Sequence, residues 1–479
     1  GPFLLVAIVK FPGFVGGSNE TFSTIGDCQK TINLYPAIIG QTGKNTVALM
    51  GTPGLTALFA LSGKTSVRGM FSGDLTGTGY FYAAIDDHLY KVKSDGVSST
   101  DLGAIATATS MIKWATGGSG RDTVIVSGTT AYSLVSGTLA AITDLAAETV
   151  LSCRSVNNFW IVGLANGRFM ISALNDPTSW DALDFEIADD TSEPVLGIVA
   201  SNHQIWMIGN TRANVWYYSG ASSFPFEQMK GAQIRYGLAA ADSLTIVDNA
   251  ITWLAQSSDG CNMVVAARSY APQRISTPAI ESIISALSAK SDAVGYSYSE
   301  DGHSFYVLTF PTGDLTLCYD FLTGQWHERQ SYIGSAYHAH LANCHLVEGG
   351  VHLVGARNSG TIYTMSRNVY TDGGAQILRL RRCPHLGQEN RRIRYGRFEL
   401  DIEKGLGAVG SLPKAYLRWS DDGGKTWGSA LDASVGEVGN YTLEVAWNRL
   451  GYGRDRVFEL YSTAAIKHAW IDAYLELGK

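Results

Sequence analysis

An all-β fold is what the sequence predicts: a β-propeller of six or seven blades with an additional small C-terminal β domain. Three observations carry that expectation. The 479 residues include 53 Gly against 12 Pro, with 11 Trp, 23 Tyr and 17 Phe, the profile of a chain with many tight turns and large buried rings. Two-stranded units, each an apolar run, a Gly/Asn/Asp/Ser turn and a second apolar run, recur seven times. Their turns fall near residues 87, 128, 166, 211, 259, 313 and 359, a spacing of about 40 to 55 residues that fits the period of propeller blades.

In chain order, the opening PFLLVAIV is apolar but too short to span a membrane, and it lacks the basic flank of a secretory signal. It reads as a buried strand. Residues 1–45 form an N-terminal segment expected to pack with the C-terminal domain, and residues 46–375 form the propeller. The seven units begin at Tyr80 (YFYAAIDDHLYKV), Asp122 (DTVIVSGTTAYSLV), Asn157 (NNFWIVGLANGRFMISAL), His203 (HQIWMIGNTRANVWYYS), Ala250 (AITWLAQSSDGCNMVVAA), Ser304 (SFYVLTFPTGDLTLCYDF) and Val351 (VHLVGARNSGTIYTMS). Phe159, Trp160, Ile161 and Val162 are apolar on both faces of their strand, as a sheet sandwiched between layers requires. The turn that follows, Asn166-Gly167, suits a type I′ hairpin because both residues tolerate positive φ. A stack of four-stranded blades buries both faces of each sheet and leaves only short edges.

One segment breaks the β pattern. In STPAIESIISALSAK, Thr277 can cap a helix, Pro278 suits its first position, and Ile280, Ile283, Ile284 and Leu287 recur at helical spacing. Beyond Gly374 the repeat stops, and residues 376–479 read as a separate β domain for platform or docking duty, with strand-like AYLRWS, YTLEVAW and RVFELYS. Its first stretch holds Arg379, Arg381, Arg382, Arg391, Arg392, Arg394 and Arg397. Guanidinium groups are enriched where planar hydrogen bonding joins protein surfaces, so these seven are the candidate subunit or adaptor interface.

Charge and cysteine content exclude several classes. A formal net charge of −7 is the wrong sign for a protein that grips phosphates. No run of 18 apolar residues is present, so a membrane-spanning helix is not expected. Cys28, Cys153, Cys261, Cys318, Cys344 and Cys383 are scattered without a C-x-x-C pair, which favours reduced thiols over a disulfide framework.

Each catalytic signature has a plainer reading beside it. WSDDGGKTWG, from Trp419 to Gly428, places Ser420, Asp422, Gly424, Thr426 and Trp427 at the spacing S-x-D-x-G-x-T-W, which resembles the Asp box of the sialidases. The Asp of such a box bonds backbone amides of its own turn, which is a structural job. This box is single, lies outside the repeats, and no Arg-Ile-Pro motif accompanies it. Ser62–Ser66 and Thr42–Thr46 contain Gly-Lys, but the glycine a phosphate loop needs five positions earlier is Leu58 or Ile38. His338, His340, Cys344, His345 and His352 could offer N and S ligands, yet no second pair at ligand spacing completes the set. Asp86-Asp87 and Asp189-Asp190 sit beside turn signals and read as solvated turn residues. Neither a catalytic residue nor a metal nor a cofactor is expected.

The remaining short signatures resemble one family. FPGFVGGSN (Phe11 to Asn19), TINLYPAIIG (Thr31 to Gly40) and TPGL (Thr52 to Leu55) are similar to the opening of the packaged-DNA stabilisation proteins of short-tailed phages. ITWLAQSSDG, ISTPAIESII, YDFLTGQWHER and GRDRVFEL extend the likeness along nearly the whole chain. The resemblance implies a structural virion protein of the phage tail, assembled in the host cytoplasm as a homohexameric hub or nozzle below the portal and its adaptor. Such a ring closes the channel on packaged DNA, conducts the duplex at ejection, and carries a fibre, spike or plug protein. It offers no catalytic residues. Two other classes stay open on sequence alone, a sialidase-like propeller glycosidase and a host-surface glycan-binding module.

Overall fold

Each hairpin read from the sequence gains one strand on either side and becomes a four-stranded antiparallel unit. In the computed structural model the described residues are 7–40, 45–73, 79–107, 109–118, 121–188, 192–201, 204–260, 262–387, 391–407 and 410–478. Among them, seven such units stand around one axis as the blades of a propeller, four as separate four-stranded sheets and those of blades five, six and seven within larger sheets. Blade one is representative, with strands Val67–Ser72, Tyr80–Ile85, His88–Lys93 and Ser99–Ala104 running from the axis outward. The hairpins of the other six units likewise supply the two middle strands of their blades. A strand from far upstream, Gly54–Leu61, completes blade seven by pairing with Gly360–Ser366, and so closes the ring.

What holds the blades together is burial between them. Seven separate apolar clusters fill the seven inter-blade spaces. Trp160, fully buried, donates its indole N–H to the Ala115 carbonyl at 2.9 Å, so blade three is fastened to blade two by a ring whose one polar group is satisfied. Trp253 donates in the same way to the Gly237 carbonyl, at 3.1 Å. The expected helix forms as Pro278–Ala286, with the Thr277 hydroxyl accepting from the Ile280 amide, and it sinks Ile280 and Ile284 between blades five and six.

Two local expectations need correction. At the hairpin after Leu164 only Gly167 takes positive φ, at +82°, while the Asn166 side chain instead accepts from the Arg168 amide at 3.1 Å. The turn is thus a longer loop closed by one left-handed glycine, not a two-residue type I′ turn. The apolar opening is not a buried strand either. Ala7–Lys10 lies on the edge of a sheet beside Ala469–Gly478, and Ile8 is 73% exposed. Residues 1–6 lie outside the described residues.

The C-terminal residues form a two-sheet sandwich, and the N-terminal segment is part of it. One sheet orders Leu34–Ile38, Val47–Gly51, Ala469–Gly478, Ile393–Ile402 and Val445–Gly453. In the other, Cys28–Ile32 lies between Gln325–Glu328 of blade six and Arg379–Arg382, which continues through Asp455–Ser462 to Lys414–Ser420. One sheet therefore runs from the propeller into the sandwich. Phe11, Phe14, Leu34 and Leu49 sit in the sandwich core with Phe398, Trp447, Phe458 and Trp470.

Two arginines close this seam. Arg381, fully buried, donates to the carbonyls of Phe14 (2.7 Å), Gly17 (3.0 Å) and Gly13 (2.8 Å), and to the Thr31 hydroxyl and the Gln29 side-chain oxygen. Arg379 donates to the Asn33 carbonyl, the Thr52 hydroxyl and the Thr52 carbonyl at 2.8–2.9 Å. A side chain at Gly17 would place its first carbon 2.4 Å from the Trp326 carbonyl, which is why the loop can pass there only as glycine. Arg381→Ala should destabilise the chain by roughly 3 kcal/mol, because several buried acceptors lose their donor at once. Arg381→Lys should recover little, since one ammonium cannot span five acceptors. Urea unfolding reads the loss, and faster proteolysis within residues 11–19 locates it.

Candidate functional site

The seven sequence-predicted arginines separate into three groups. Arg379 and Arg381 are 2% and 0% exposed and bond only inside the chain, so they are not docking groups. Their strand has neighbours on both edges and lies under the N-terminal loop, which leaves these side chains no outer surface. Arg382 and Arg397 are partly buried in ion pairs, Arg382 with Glu459 at 2.8 Å and Arg397 with Glu444 at 2.6 Å. Arg391, Arg392 and Arg394 are exposed, and Arg392 lies 6.0 Å over the ring of Tyr452, itself 52% exposed.

The Asp-box hairpin joins Lys414–Ser420 to Leu431–Ser434 at the rim of the sandwich. Asp422 accepts from the amides of Lys425 (3.0 Å) and Thr426 (2.9 Å) and from the Thr426 hydroxyl (2.6 Å). Ser420 donates to Asp422 at 2.6 Å while accepting from the Gly424 amide at 2.8 Å. The Ser420 and Thr426 bonds hold the Asp422 carboxyl far below the usual carboxylate range. Trp427 donates to the Gly424 carbonyl, and its ring lies between the guanidinium groups of Arg382 (4.8 Å) and Arg418 (5.1 Å). Both arginines converge on the fully buried carboxylate of Glu459. The neighbouring Asp421 takes a two-pronged bond from buried Arg456, at 2.6 and 2.8 Å. The box is thus a cap beside two charge clusters, one around fully buried Glu459 and one around buried Arg456, and its Ser420 and Asp422 side chains bond within their own fold.

The histidine group does not converge. His338 is half-buried and bonds Asp314 at 2.8 Å, His340 is buried against the Ser331 hydroxyl, and Cys344 packs inside blade seven. His345 and His352 face each other across two strands at 2.9 Å. Among the described residues no three His, Cys, Asp or Glu side chains gather as a metal site. Asp86 accepts from the Thr65 and Ser66 amides, and Asp87 pairs with Lys64 and His88, so both serve the turn they sit in. Asp189-Asp190, residues 41–44 of the second Gly-Lys turn, and Cys261 lie outside the described residues. The five described cysteines are buried free thiols.

Sequence reasoning missed a cavity of about 460 Å³ along the propeller axis. It is lined by the innermost strands of blades two to seven, among them Lys113, Arg154, Asp242, Tyr296, Asn343 and His345. Lys113 of blade two reaches across to Asp242, which precedes the first strand of blade five and also accepts from the Met111 amide at 3.0 Å. That ion pair spans the channel between nearly opposite blades. No sequence signal announces it, because its partners are 129 residues apart and neither lies in a motif.

Two outcomes follow from this geometry. Asp422→Ala should lower the melting temperature slightly and speed amide exchange at Lys425 and Thr426, because the hairpin loses its turn bonds while its surroundings face solvent. Exchange unchanged at both amides would show that the carboxylate does not hold the turn. The second outcome concerns pH. Burial lowers His327 and His468 from 6.5 to about 3, and burial and then the His352 ring lower His345 to about 4. The unfolded chain therefore takes up protons below about pH 6.5 that the folded chain refuses. Stability contributed by these neutral rings is complete above pH 6.5 and declines toward pH 4, at up to about 1.4 kcal/mol per pH unit for each proton. Asp372 and Glu328, raised by burial, act in the opposite sense at the acid end. A urea midpoint lower at pH 5 than at pH 7 is expected, and equal midpoints would contradict it.

The family comparison covers both parts of the fold. A family described as bacteriophage P22 Gp10, beta-propeller, matches residues 29–370, and one described as bacteriophage P22 Gp10, beta-sandwich, matches residues 379–477. Among curated proteins no match was found. Solved structures similar to part of the chain include the WD40 beta propeller domain of Doa1, at 11% identity and a TM-score of 0.39, over 66% of this chain and 97% of that one. YCF48 from Cyanidioschyzon merolae is 10% identical with a TM-score of 0.41, over 65% and 98%. The computationally designed Ika8 protein is 15% identical with a TM-score of 0.37, over 70% and 99%. At those scores the likenesses add nothing to the assignment, which rests on the two family matches and on the sheets themselves. A seven-bladed propeller continuous with a β-sandwich, matched along both parts, makes this chain a member of the bacteriophage P22 Gp10 family of packaged-DNA stabilisation proteins, structural components of the phage tail.

Proposed function

We propose that the chain is the subunit of a tail hub or nozzle, a homohexameric ring below the portal and its adaptor. The ring retains packaged DNA, conducts it at ejection, and carries a fibre, spike or plug protein. It acts without catalysis or cofactor, as part of a virion assembled in the host cytoplasm. In this reading residues 46–375 are the propeller, except that Val47–Gly51 pairs within the sandwich, residues 376–479 are the docking platform, and residues 1–45 the strap between them. The observation that carries it is the Lys113–Asp242 pair across the propeller axis. A duplex cannot thread a channel spanned by a side-chain ion pair, so a conduit has to be enclosed between copies of the chain. A net charge of −7 suits a wall that DNA passes without sticking.

The exposed Arg391, Arg392 and Arg394 beside Tyr452 have the composition of a contact surface between subunits or toward the adaptor. A solution mass near six copies, for the chain alone or with its adaptor, is the expected result. A strictly monomeric chain in the presence of the adaptor would refute the ring. Replacing Arg391, Arg392 and Arg394 with Ser should weaken assembly at least tenfold while each monomer keeps its melting temperature. Unchanged assembly together with lost DNA retention would place these arginines on the channel wall instead.

A further inference from the structure

Most buried and half-buried arginines among the described residues bond named partners. Arg68 donates to Ser110, Asp86 and Ala106 carbonyls and to Ser127, Arg357 to two carbonyls, and Arg456 to Asp421. Arg154 is different. It lies on Val150–Val156, the innermost strand of blade three, and lines the axial cavity. No hydrogen bond or ion pair engages its guanidinium among the described residues, and burial depresses its pKa with no carboxylate acting against it.

Arg154 also lines a second recess of about 270 Å³, formed by the far ends of the innermost strands of blades one to four. Arg121, at the turn before the second strand of blade two, faces the same recess, and its side chain likewise has no bonding partner among the described residues. The remaining lining is neutral and includes Trp114, Phe71, Thr116 and Ser155, with no acidic residue. The Trp114 and Phe71 rings stack at 5.9 Å and stiffen one wall. Deeper in the axis, Lys113 is already neutralised by Asp242. Two guanidinium groups thus share one small recess without a counter-charge, in a chain that is acidic as a whole.

We infer that this mouth of the propeller axis binds a small oxyanion, the phosphate or carboxylate of a solute, between Arg154 and Arg121. Guanidinium forks match the planar pair of oxygens that both anions present, and the low-dielectric wall strengthens each bond. An unpaired, half-buried cation is a cost the fold carries unless something occupies the site. The inference concerns one subunit and stands apart from ring assembly.

The test is calorimetric titration of the full chain with inorganic phosphate and, separately, with glucuronate. Saturable binding of at least one is expected. Phosphate alone would identify a phosphate-bearing solute, glucuronate alone a sugar carboxylate, and both a simple oxyanion site. Arg154→Gln should weaken binding at least tenfold and Arg121→Gln at least threefold, whereas Arg268→Gln, at an exposed arginine of blade five that pairs with Asp248, should change nothing. The bound anion should raise the melting temperature of the parent chain and not of Arg154→Gln, and without anion that variant should melt no lower than the parent. If Arg154→Gln proves unstable, Arg121→Gln decides the matter, because removing the Arg121 guanidinium breaks no side-chain bond among the described residues. Binding of neither anion, or binding equally tight in both recess variants, would overturn the inference.

Discussion

The buried guanidinium of Arg381 is the interaction on which the seam depends. Its five bonds gather the loop of Phe11 to Asn19, the strand Cys28–Ile32 and its own strand Arg379–Arg382 into one unit. Guanidinium can do this because it offers five donors in a plane and stays charged in a protein interior. Apolar packing alone would have left those loop carbonyls unsatisfied, since a glycine-rich loop has few side chains to bury and many backbone groups to satisfy. Arg379 repeats the device on Asn33 and Thr52. The three N-terminal signatures FPGFVGGSN, TINLYP and TPGL are, in this light, the sequence of the acceptors.

That explains what could and could not be read beforehand. The blades were legible because each middle hairpin announces itself locally, by an apolar run on either side of turn chemistry. The closing strand Gly54–Leu61 was not, since its partner Gly360–Ser366 lies some 300 residues downstream and its own residues alternate no more clearly than a loop. The arginine run was legible as unusual but not as interior. A buried guanidinium bonded to carbonyls and an exposed one awaiting a partner look alike in a sequence, and only the strands on either side of Arg379–Arg382 distinguish them. The Asp box is legible as a local turn, yet its use as a lid over Glu459 depends on Arg382, which arrives from another strand, and on Arg418, on the strand that leads into the box.

Ring closure also fixes where chemistry can occur. A propeller presents its innermost strands to a common axis, so side chains far apart in sequence meet there. The axis of this chain carries Lys113, Asp242, Arg154 and the edge of the His345–His352 pair. Only the first two neutralise each other. Lys113 and Arg154 lie on the innermost strands of adjacent blades, the lysine paired with Asp242 and the arginine with no partner among the described residues.

A sheet that continues from blade six through Cys28–Ile32 into the sandwich leaves no hinge along that line. Hinges need a few residues free to change φ and ψ, and here those residues are locked in ladder bonds and beneath Arg381. Asn33, held at φ 51° just beyond the shared strand, is fixed as well, since its side chain donates to the carbonyls of Gln330 and Leu378 and accepts from the Gln330 amide. A load applied to the sandwich is therefore passed to blade six through backbone bonds. If the ring opens and closes on DNA, the displacement has to arise between subunits or in surface loops, because within one subunit the propeller and the sandwich share a strand and move as that strand moves.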